Sequence, residues 1–449
     1  MGGVATTMRR AGSNRSTPVK IRTGALMFAW FGWLWGWAQE GPFLAGADMS
    51  HLRFFEDRGA VYRDNGQVRD ALGILRDRGI NCVRLRLFTS SPAQAAADPY
   101  NYINNLEYTL PLAVRAKQAG HRVLLNFHFS DSWADPGKQR VPSAWAQLSF
   151  PALVSTLRQY TSNVLAAFAA AGVVPEYVQV GNEITQGMLW PHGQVGGTND
   201  TPSQWGRLGE LLRSAIQGIR DAVPSGGPQI MMHIDRGGDW AGTQWFFDRL
   251  QAQGVSYDLI GLSYYPFWHG SLDDLRNTLT RAGARYRKPI VVVETAFPFE
   301  GSTNVWGIPP STNGQVQYVR ALAEVVRGVS EGRGRGIFWW GAEYQSLWGY
   351  RLAGFDRRSL FGPGGEVLPA AAALGRLTAP VRLEARLDSE GLRLTWPLSG
   401  AGMDLWSTTS LAPGTLWIRV TAGPVAAGLD YQTIVPAQQR AAFYRLREN

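Results

Sequence analysis

The amino-acid sequence predicts a parallel (β/α)8 barrel followed by a small all-β, sandwich-like module. Two observations predict the barrel. Eight short apolar runs alternate with longer helical patterns between residues 43 and 340, and polar or aromatic residues lie at the carboxyl end of nearly every run. Such alternation is typical of a parallel sheet, and the carboxyl ends of barrel strands form its functional face. Alternating polarity without helical periodicity after residue 380 predicts the β module.

The predicted barrel elements are regularly spaced along the chain. The strands are expected over residues 43–48, 81–88, 122–129, 177–183, 229–235, 257–265, 289–295 and 335–340. Helical patterns are predicted over Gln67–Arg78, Leu106–Ala119, Phe150–Ala171, Ser203–Ala222 and Gln315–Val329. The total span of about 330 residues suits one barrel with loop insertions.

Residues 1–38 are predicted to be an export signal that is absent from the mature fold. A segment with five basic and no acidic residues precedes the apolar run 24–37. The small residues Gly36 and Ala38 then suit cleavage before Gln39. The alternative is a membrane anchor, but about 14 apolar residues fall short of the roughly 20 that span a bilayer. We therefore expect a secreted or periplasmic protein, free of the membrane once the signal is cleaved.

Charge and cysteine content exclude several classes of protein. The chain has 44 basic and 35 acidic residues, a net charge of +9, and without the five basic residues of the signal the rest carries +4. This charge forms no dense basic stripe, so no nucleic-acid partner is expected. Cys82 is the only cysteine, which excludes an intramolecular disulfide framework and a zinc site built on several thiolates. We expect a monomer.

Two glutamates are the strongest candidates for catalysis. Glu183 and Glu294 end the fourth and seventh predicted strands, which face each other across the mouth of a barrel. A pair of carboxyl groups about 5–5.5 Å apart suits retaining glycoside hydrolysis, with one acid donating a proton and the other attacking the anomeric carbon. The alternative is that both are structural acids, paired with Arg84 and Arg86.

Longer motifs carry a resemblance to a known family. They are GADMSHL (46–52), GINCVRLRLF (79–88), FHFSDSWADPGKQRVPSAW (127–145), VGNEITQGMLWP (180–191), DLIGLSYYPFWHG (258–270) and VVVETAFP (291–298). In these stretches the chain resembles the family 53 glycoside hydrolases, the arabinogalactan endo-β-1,4-galactanases of a large clan of retaining (β/α)8 enzymes.

The resemblance implies a role for each matching site residue. Glu183 would be the acid/base and Glu294 the nucleophile of a double displacement on β-1,4-galactan, the expected polysaccharide substrate. Asn182 would hold the sugar 2-hydroxyl, and Arg84 would orient and ionise the nucleophile. Tyr265 can donate a hydrogen bond to the nucleophile. Further sugar contacts are expected from Asn126, His128, Trp133, Asp135, His233, Asp235 and Trp340.

No cofactor or metal is expected from the sequence. None of the six histidines forms a spacing that suggests a transition-metal site. Some bacterial relatives hold a structural calcium ion in the loops after strands seven and eight, but this chain differs there, so we do not carry the ion over.

The chain departs from the family pattern at two places near the expected cleft. Asn126 stands where the family usually has Asp, and Gly341-Ala342-Glu343 replaces the usual Glu-Pro after the aromatic pair of strand eight. Two alternatives therefore stay open: an endoglycanase of the same clan acting on mannan or glucan, and a non-catalytic carbohydrate-binding barrel. A metal-dependent or Schiff-base reaction would need metal ligands or a strand-end lysine, which the motifs lack.

The domain boundaries follow from these patterns. Residues 39–379 are expected to form the catalytic barrel and 380–449 the β module, with strands such as Thr415–Thr421 and Ala441–Leu446. The ending Phe443–Arg447 resembles a module appended to many exported bacterial proteins. We expect this module to play no part in catalysis.

Overall fold

The computed structural model describes residues 42–350, 352–436 and 442–448. The predicted export signal, residues 1–38, lies outside the described residues. Within the described ranges, no helix is both long and apolar enough to cross a membrane.

Eight parallel strands close into a barrel, which confirms the predicted fold. Each strand pairs with its neighbours in sequence, and β8 closes the barrel on β1. The strands are β1 (Leu44–Asp48), β2 (Cys82–Leu87), β3 (Arg122–Phe127), β4 (Tyr177–Val180), β5 (Gln229–Ile234), β6 (Leu259–Ser263), β7 (Ile290–Thr295) and β8 (Gly334–Trp339).

In the described ranges, eight helices of seven residues or more cover the outside of the barrel. They are α1 (Ala71–Asp77), α2 (Leu106–Gln118), α3 (Phe150–Ala170), α4 (Pro202–Ala222), α5 (Trp240–Ala252), α6 (Leu272–Tyr286), α7 (Thr312–Arg327) and α8 (Pro369–Arg376). The helix predicted from Gln67 begins later than expected. Gln67–Val68 forms a short hairpin with Arg63–Asp64, and the Asp70 side chain caps α1 by accepting a hydrogen bond from Leu72 N.

The barrel interior changes from apolar to polar along each strand. Near the amino ends, inward-facing side chains form a core cluster of their own, separate from the one between strands and helices, and Cys82 belongs to it. Gly46 is required in this layer because a Cβ atom there would lie 2.1 Å from the Phe338 ring. Farther along the same face, Asp48, Arg84 and Arg86 are at most 1% exposed. The carboxyl ends of the strands thus bring buried charges together.

Two antiparallel sheets follow the barrel. One has the strand order β9-β10-β14-β13 and the other the order β12-β11-β15. The strands are β9 (Glu384–Asp388), β10 (Gly391–Pro397), β11 (Met403–Thr408), β12 (Ile418–Arg419), β13 (Val425–Ala427), β14 (Asp430–Val435) and β15 (Phe443–Glu448). The predicted strand Thr415–Thr421 is shorter than expected, because only Ile418 and Arg419 pair with β11.

The β module packs at the end of the barrel opposite the carboxyl ends of the strands. Tyr431 OH donates a 2.8 Å hydrogen bond to Glu324 near the end of α7, and Arg376 at the end of α8 bonds Asp430. Barrel helices run antiparallel to the strands, so the carboxyl ends of α7 and α8 lie beside the amino ends of the strands. The buried side chains of Trp396 and Tyr431 belong to the same apolar core as the barrel helices. The module therefore stands away from the polar face.

We expect a chain that ends at Ala379 to fold as a barrel with reduced thermal stability. The barrel keeps its strand pairs and interior, but α7 and α8 lose an apolar cover and the Tyr431 hydrogen bond. Circular dichroism should give a native-like spectrum and a melting temperature lower by about 5 °C, a few kcal/mol. The single substitution Tyr431→Phe, which keeps the ring, should lower it less. An unfolded truncated chain would contradict the independence of the barrel.

Candidate active site

The carboxyl ends of the strands surround a cleft of about 520 Å³. Of the residues predicted to form the site, those that line it are Glu183, Glu294, His128, Trp133, Asp135, Asn182, Asp235, Tyr265 and Trp340. Arg84, Asn126 and His233 lie beneath this surface, fully buried. The cleft is therefore built of two layers, one open to a ligand and one that supports it.

Glu294 is held by two side chains from different strands. Arg84 on β2 places Nη2 2.8 Å from Glu294 Oε1, and Tyr265, just after β6, donates a 3.0 Å hydrogen bond to Oε2. Both carboxylate oxygens are thus engaged, and the side chain is 7% exposed. This arrangement fixes the carboxylate plane and stabilises its ionised form.

Glu183 stands on a tight turn after β4. Its backbone has φ +48°, a left-handed conformation that is rare for a non-glycine residue and that recurs at functional sites. Its Oε1 accepts a 2.6 Å hydrogen bond from Ser263 Oγ. Ser263 in turn lies 2.8 Å from His233 Nε2, and Gln179 donates to Nδ1 of the same ring at 2.9 Å. His233 therefore carries its proton on Nε2, and a chain of donors runs from the barrel interior to Glu183.

The two glutamates converge through shared neighbours. Arg84 Nη2 contacts Glu294 and also donates a 2.8 Å hydrogen bond to Asn182 Oδ1, the residue before Glu183. Ser263 and Tyr265, two residues apart, each donate to one of the two carboxyl groups. The alternative is that both acids form structural ion pairs with Arg84 and Arg86. Among the described residues, only Glu294 forms such a pair, with Arg84.

The environment separates the acidities of the two carboxyl groups. Removal from water raises the pKa of Glu183 well above its usual value, and the negative charge of Glu294 raises it further. Burial also raises the pKa of Glu294, but Arg84 and the Tyr265 hydroxyl oppose this rise. Glu294 is therefore the one that ionises first, and Glu183 the one that keeps its proton.

Asn182 is fixed by a buried amide network. Its Oδ1 accepts hydrogen bonds from Arg84 and, at 3.0 Å, from Asn126 Nδ2, while its own Nδ2 donates to Ala134 O at 2.8 Å. Asn126 therefore supports Asn182 from behind the cleft surface. An amide can donate this hydrogen bond and an ionised Asp cannot, so the departure from the family pattern at residue 126 changes the donor set around Asn182.

Aromatic rings form one wall of the cleft. The Trp133 and Trp340 ring centres lie 6.1 Å apart, and the buried Arg86 guanidinium lies 4.3 Å from the first and 5.3 Å from the second. The His51 ring also stacks on Trp133, with 8° between the planes. Planar rings fixed in this way suit the apolar face of a pyranose.

Several residues of the site were not predicted from the sequence. Ser263 and Arg86 are the most important, and the signal that could have found them is their inward position at the ends of β6 and β2. Glu343, two residues beyond the usual family glutamate, is fully buried and accepts a 2.7 Å hydrogen bond from His51 N. Burial and the nearby Asp48 carboxylate raise the pKa of Glu343 to about 8.

No metal site is apparent in the part of the chain that the structure describes. Nowhere in it do three or more His, Cys, Asp or Glu side chains form a group that could hold an ion.

Comparisons with known proteins agree on one family. The family model for glycosyl hydrolase family 53 matches residues 44–374. An arabinogalactan endo-beta-1,4-galactanase of Humicola insolens is 34% identical over 349 residues, which cover 74% of this chain and 98% of the relative. An uncharacterised protein from the bgaB 5′ region of Niallia circulans is 42% identical over 317 residues, covering 67% and 84%. The solved Ignisphaera aggregans GH53 catalytic domain superposes with a TM-score of 0.68 at 34% identity, covering 76% and 97%.

We expect Ser263→Ala to raise the pKa of Glu183. The serine hydroxyl donates to the carboxylate and so favours the ionised form, which makes the substitution shift the titration to higher pH. Tyr265→Phe is the matched variant, because it removes the donor to Glu294 and should raise the pKa of that group instead. Carbon-13 NMR of glutamate-labelled protein follows both titrations. Unchanged titration of Glu183 in the Ser263 variant would contradict the assigned hydrogen bond.

Proposed function

The chain belongs to glycosyl hydrolase family 53, and on that premise we propose that it is a retaining endo-β-1,4-galactanase. The proposed substrate is the galactan of type I arabinogalactan, as in the side chains of pectin. The observation that carries the proposal is the pair of converging glutamates with opposed environments, in a cleft walled by tryptophans. The printed name of the Humicola insolens relative supports the choice of galactan among β-linked polymers.

In the proposed mechanism Glu183 is the acid/base and Glu294 is the nucleophile. A Glu294 oxygen attacks the anomeric carbon, the glycosidic C–O bond breaks, and the Glu183 proton passes to the leaving oxygen. Water then attacks the anomeric carbon of the glycosyl-enzyme, its proton returns to Glu183, and the bond to Glu294 breaks. The higher pKa of Glu183 and the two donors on Glu294 support these roles.

The shared neighbours of the two carboxyl groups favour retention of configuration. Inverting enzymes keep their carboxyl groups about 6.5–9.5 Å apart to admit a water molecule, whereas retaining enzymes keep them about 5–5.5 Å apart. Here one Arg84 nitrogen contacts both Glu294 and the residue before Glu183. This geometry supports the shorter separation and a direct attack.

The remaining residues of the cleft suit the binding of a neutral sugar chain. One hydrogen of Asn182 Nδ2 is bonded to Ala134 O, and the other is available for the sugar 2-hydroxyl. Trp133 and Trp340 offer ring faces, while His128, Asp135 and Asp235 bring polar atoms to the same cleft. Burial and Arg84 lower the pKa of His128 well below its usual value, so this ring lines the cleft as a neutral imidazole.

We further propose that the protein is exported, acts as a monomer and carries its activity in the barrel alone. Export rests on the basic and apolar pattern of residues 1–38. None of the described residues of the β module lines the cleft, and the module packs at the opposite end of the barrel.

Digestion of purified polysaccharides tests the activity and its stereochemistry together. We expect β-1,4-galactan to be cut internally into short oligosaccharides, with β-mannan and β-glucan cut much more slowly. Proton NMR of the early products should show the β-anomer first, because two displacements restore the original configuration. An α-anomer at the earliest time would exclude the double displacement, and equal cleavage of mannan would favour a broader endoglycanase. Binding of galactan without cleavage would identify a carbohydrate-binding barrel.

Azide rescue distinguishes the two glutamates. Glu294→Ala should lose galactan hydrolysis, and azide entering on the vacated face of an activated galactoside should give an α-glycosyl azide. Glu183→Ala should slow galactan hydrolysis by about 10²–10⁴-fold, retain activity on substrates with a good leaving group, and give a β-glycosyl azide. Glu384→Ala in the β module is the matched control and should behave as wild type. The same azide product from both variants would show that the roles are misassigned.

A further inference from the structure

A second groove continues from the catalytic cleft between the loops after β3 and β4. Its volume is about 410 Å³, and its lining includes Lys138, Arg140, Trp190 and His192. Lys138 lines both the groove and the cleft, which makes them neighbouring parts of one surface. Among the described residues that line the groove, none is acidic.

The groove is anchored to the catalytic residues through Gln139. This buried side chain donates hydrogen bonds to Asn182 O at 2.7 Å and to Asp135 O at 3.1 Å. The backbone carbonyl of Gln139 accepts a 2.7 Å hydrogen bond from Trp190 N, so the strand-like segment at Arg140 lies beside Trp190. The two walls of the groove are therefore joined, and both are fixed relative to the turn that carries Glu183.

Arg140 brings an uncompensated positive charge to this groove. It is exposed, and within the described ranges it forms no ion pair or side-chain hydrogen bond. Two other surface arginines of the barrel are each held by a carboxylate through two short contacts, in the pairs Arg158–Asp221 and Arg285–Asp248. A guanidinium that lacks such a partner keeps its paired N–H donors available for a carboxylate from outside.

Other basic side chains lie near Arg140 and add to the positive charge of the groove. Lys138 Nζ lies 3.5 Å from Asp135 Oδ2, a loose pair in which both side chains are more than 40% exposed. On the other side, Arg207 Nη2 lies 3.0 Å from His192 Nδ1. Burial and the Arg207 charge lower the pKa of His192, so this ring is a neutral polar group at neutral pH. The positive potential of the groove comes from Lys138 and Arg140, which line it, and from Arg207, which lies next to the lining residue His192.

Trp190 provides a fixed surface next to these charges. Its indole Nε1 donates a 2.9 Å hydrogen bond to Gln186 O, and the partly exposed ring lines the groove. A tryptophan ring held in this way suits stacking on a pyranose, and the basic groups beside it suit an acid on the same sugar or the next one.

From this arrangement we propose that the groove binds a uronic acid unit joined to the galactan chain. The carboxylate of that unit pairs with Arg140, and a neighbouring sugar ring stacks on Trp190. This proposal rests on the proposed galactanase function. Because Glu183 protonates the leaving oxygen in that function, a groove beside its turn takes the leaving, reducing-end part of the chain. The galactan side chains of pectin are joined through that end to a backbone that contains galacturonic acid.

Carboxyl reduction of one polymer provides the test. The substrate is a pectic galactan still attached to its uronic-acid backbone, compared with the same polymer after its carboxyl groups have been reduced to alcohols. Arg140→Glu reverses the charge at an exposed position, and Arg386→Glu makes the same change on exposed β9 of the module. Initial rates are measured at low salt and at 0.5 M NaCl.

We expect Arg140→Glu to lower kcat/KM on the acidic polymer by about 3- to 10-fold at low salt, through KM, with the difference shrinking at high salt. Its rate on the reduced polymer should equal that of wild type, and Arg386→Glu should match wild type on both. Equal rates of the Arg140 variant and wild type on the acidic polymer would overturn the proposal. A loss of equal size on both polymers would also overturn it, because the groove would then contact neutral sugars. Failure of wild type to cleave either polymer would instead refute the galactanase function.

Discussion

The site depends on one buried guanidinium, that of Arg84. A charge removed from water is costly unless charged and polar partners replace the hydration, and Arg84 is surrounded by Asp48, Gln179, Asn182 and Glu294. These partners come from β1, β4, the turn after β4, and β7, so a single side chain sets the spacing of three sides of the barrel mouth. Removal of Asp48 or Glu294 would take away one of the two carboxylates that balance the buried charge, and removal of Gln179 or Asn182 would leave a buried N–H donor without its acceptor.

The same ion explains why the two glutamates differ. Arg84 and Tyr265 stabilise the ionised form of Glu294, and that negative charge then raises the pKa of Glu183. Glu183 has only a neutral donor, the Ser263 hydroxyl, which His233 supports from below. Two residues of one chemical type thereby acquire opposite preferences for the proton, which is the requirement for acid and nucleophile to work as a pair.

The groove at Lys138 and Arg140 provides selectivity for acidic sugars, which the buried residues around Arg84 do not provide. The tryptophan wall offers ring faces to a sugar, whereas the described residues that line the groove beside it include Lys138 and Arg140 and no acid. Both surfaces are tied to the same short segment, because Gln139 bonds the backbone at Asn182 and accepts a hydrogen bond from Trp190. Substitutions in the groove can therefore change which sugars are bound without altering the two glutamates, while Gln139 keeps the groove and the glutamates in a fixed relative position.

The sequence alone predicted the barrel and its eight strands, and it singled out Glu183 and Glu294 as the candidate pair, because strand periodicity and the polarity of strand ends are local properties of the chain. It missed the late start of α1, since the hairpin at Gln67–Val68 depends on pairing with Arg63–Asp64. Only the tertiary structure separated the residues that line the cleft from Asn126 and His233, which support it from beneath. It also found Ser263 and the Arg140 groove. These features depend on contacts between segments far apart in the chain, and which side chains meet there is decided by barrel closure and loop packing.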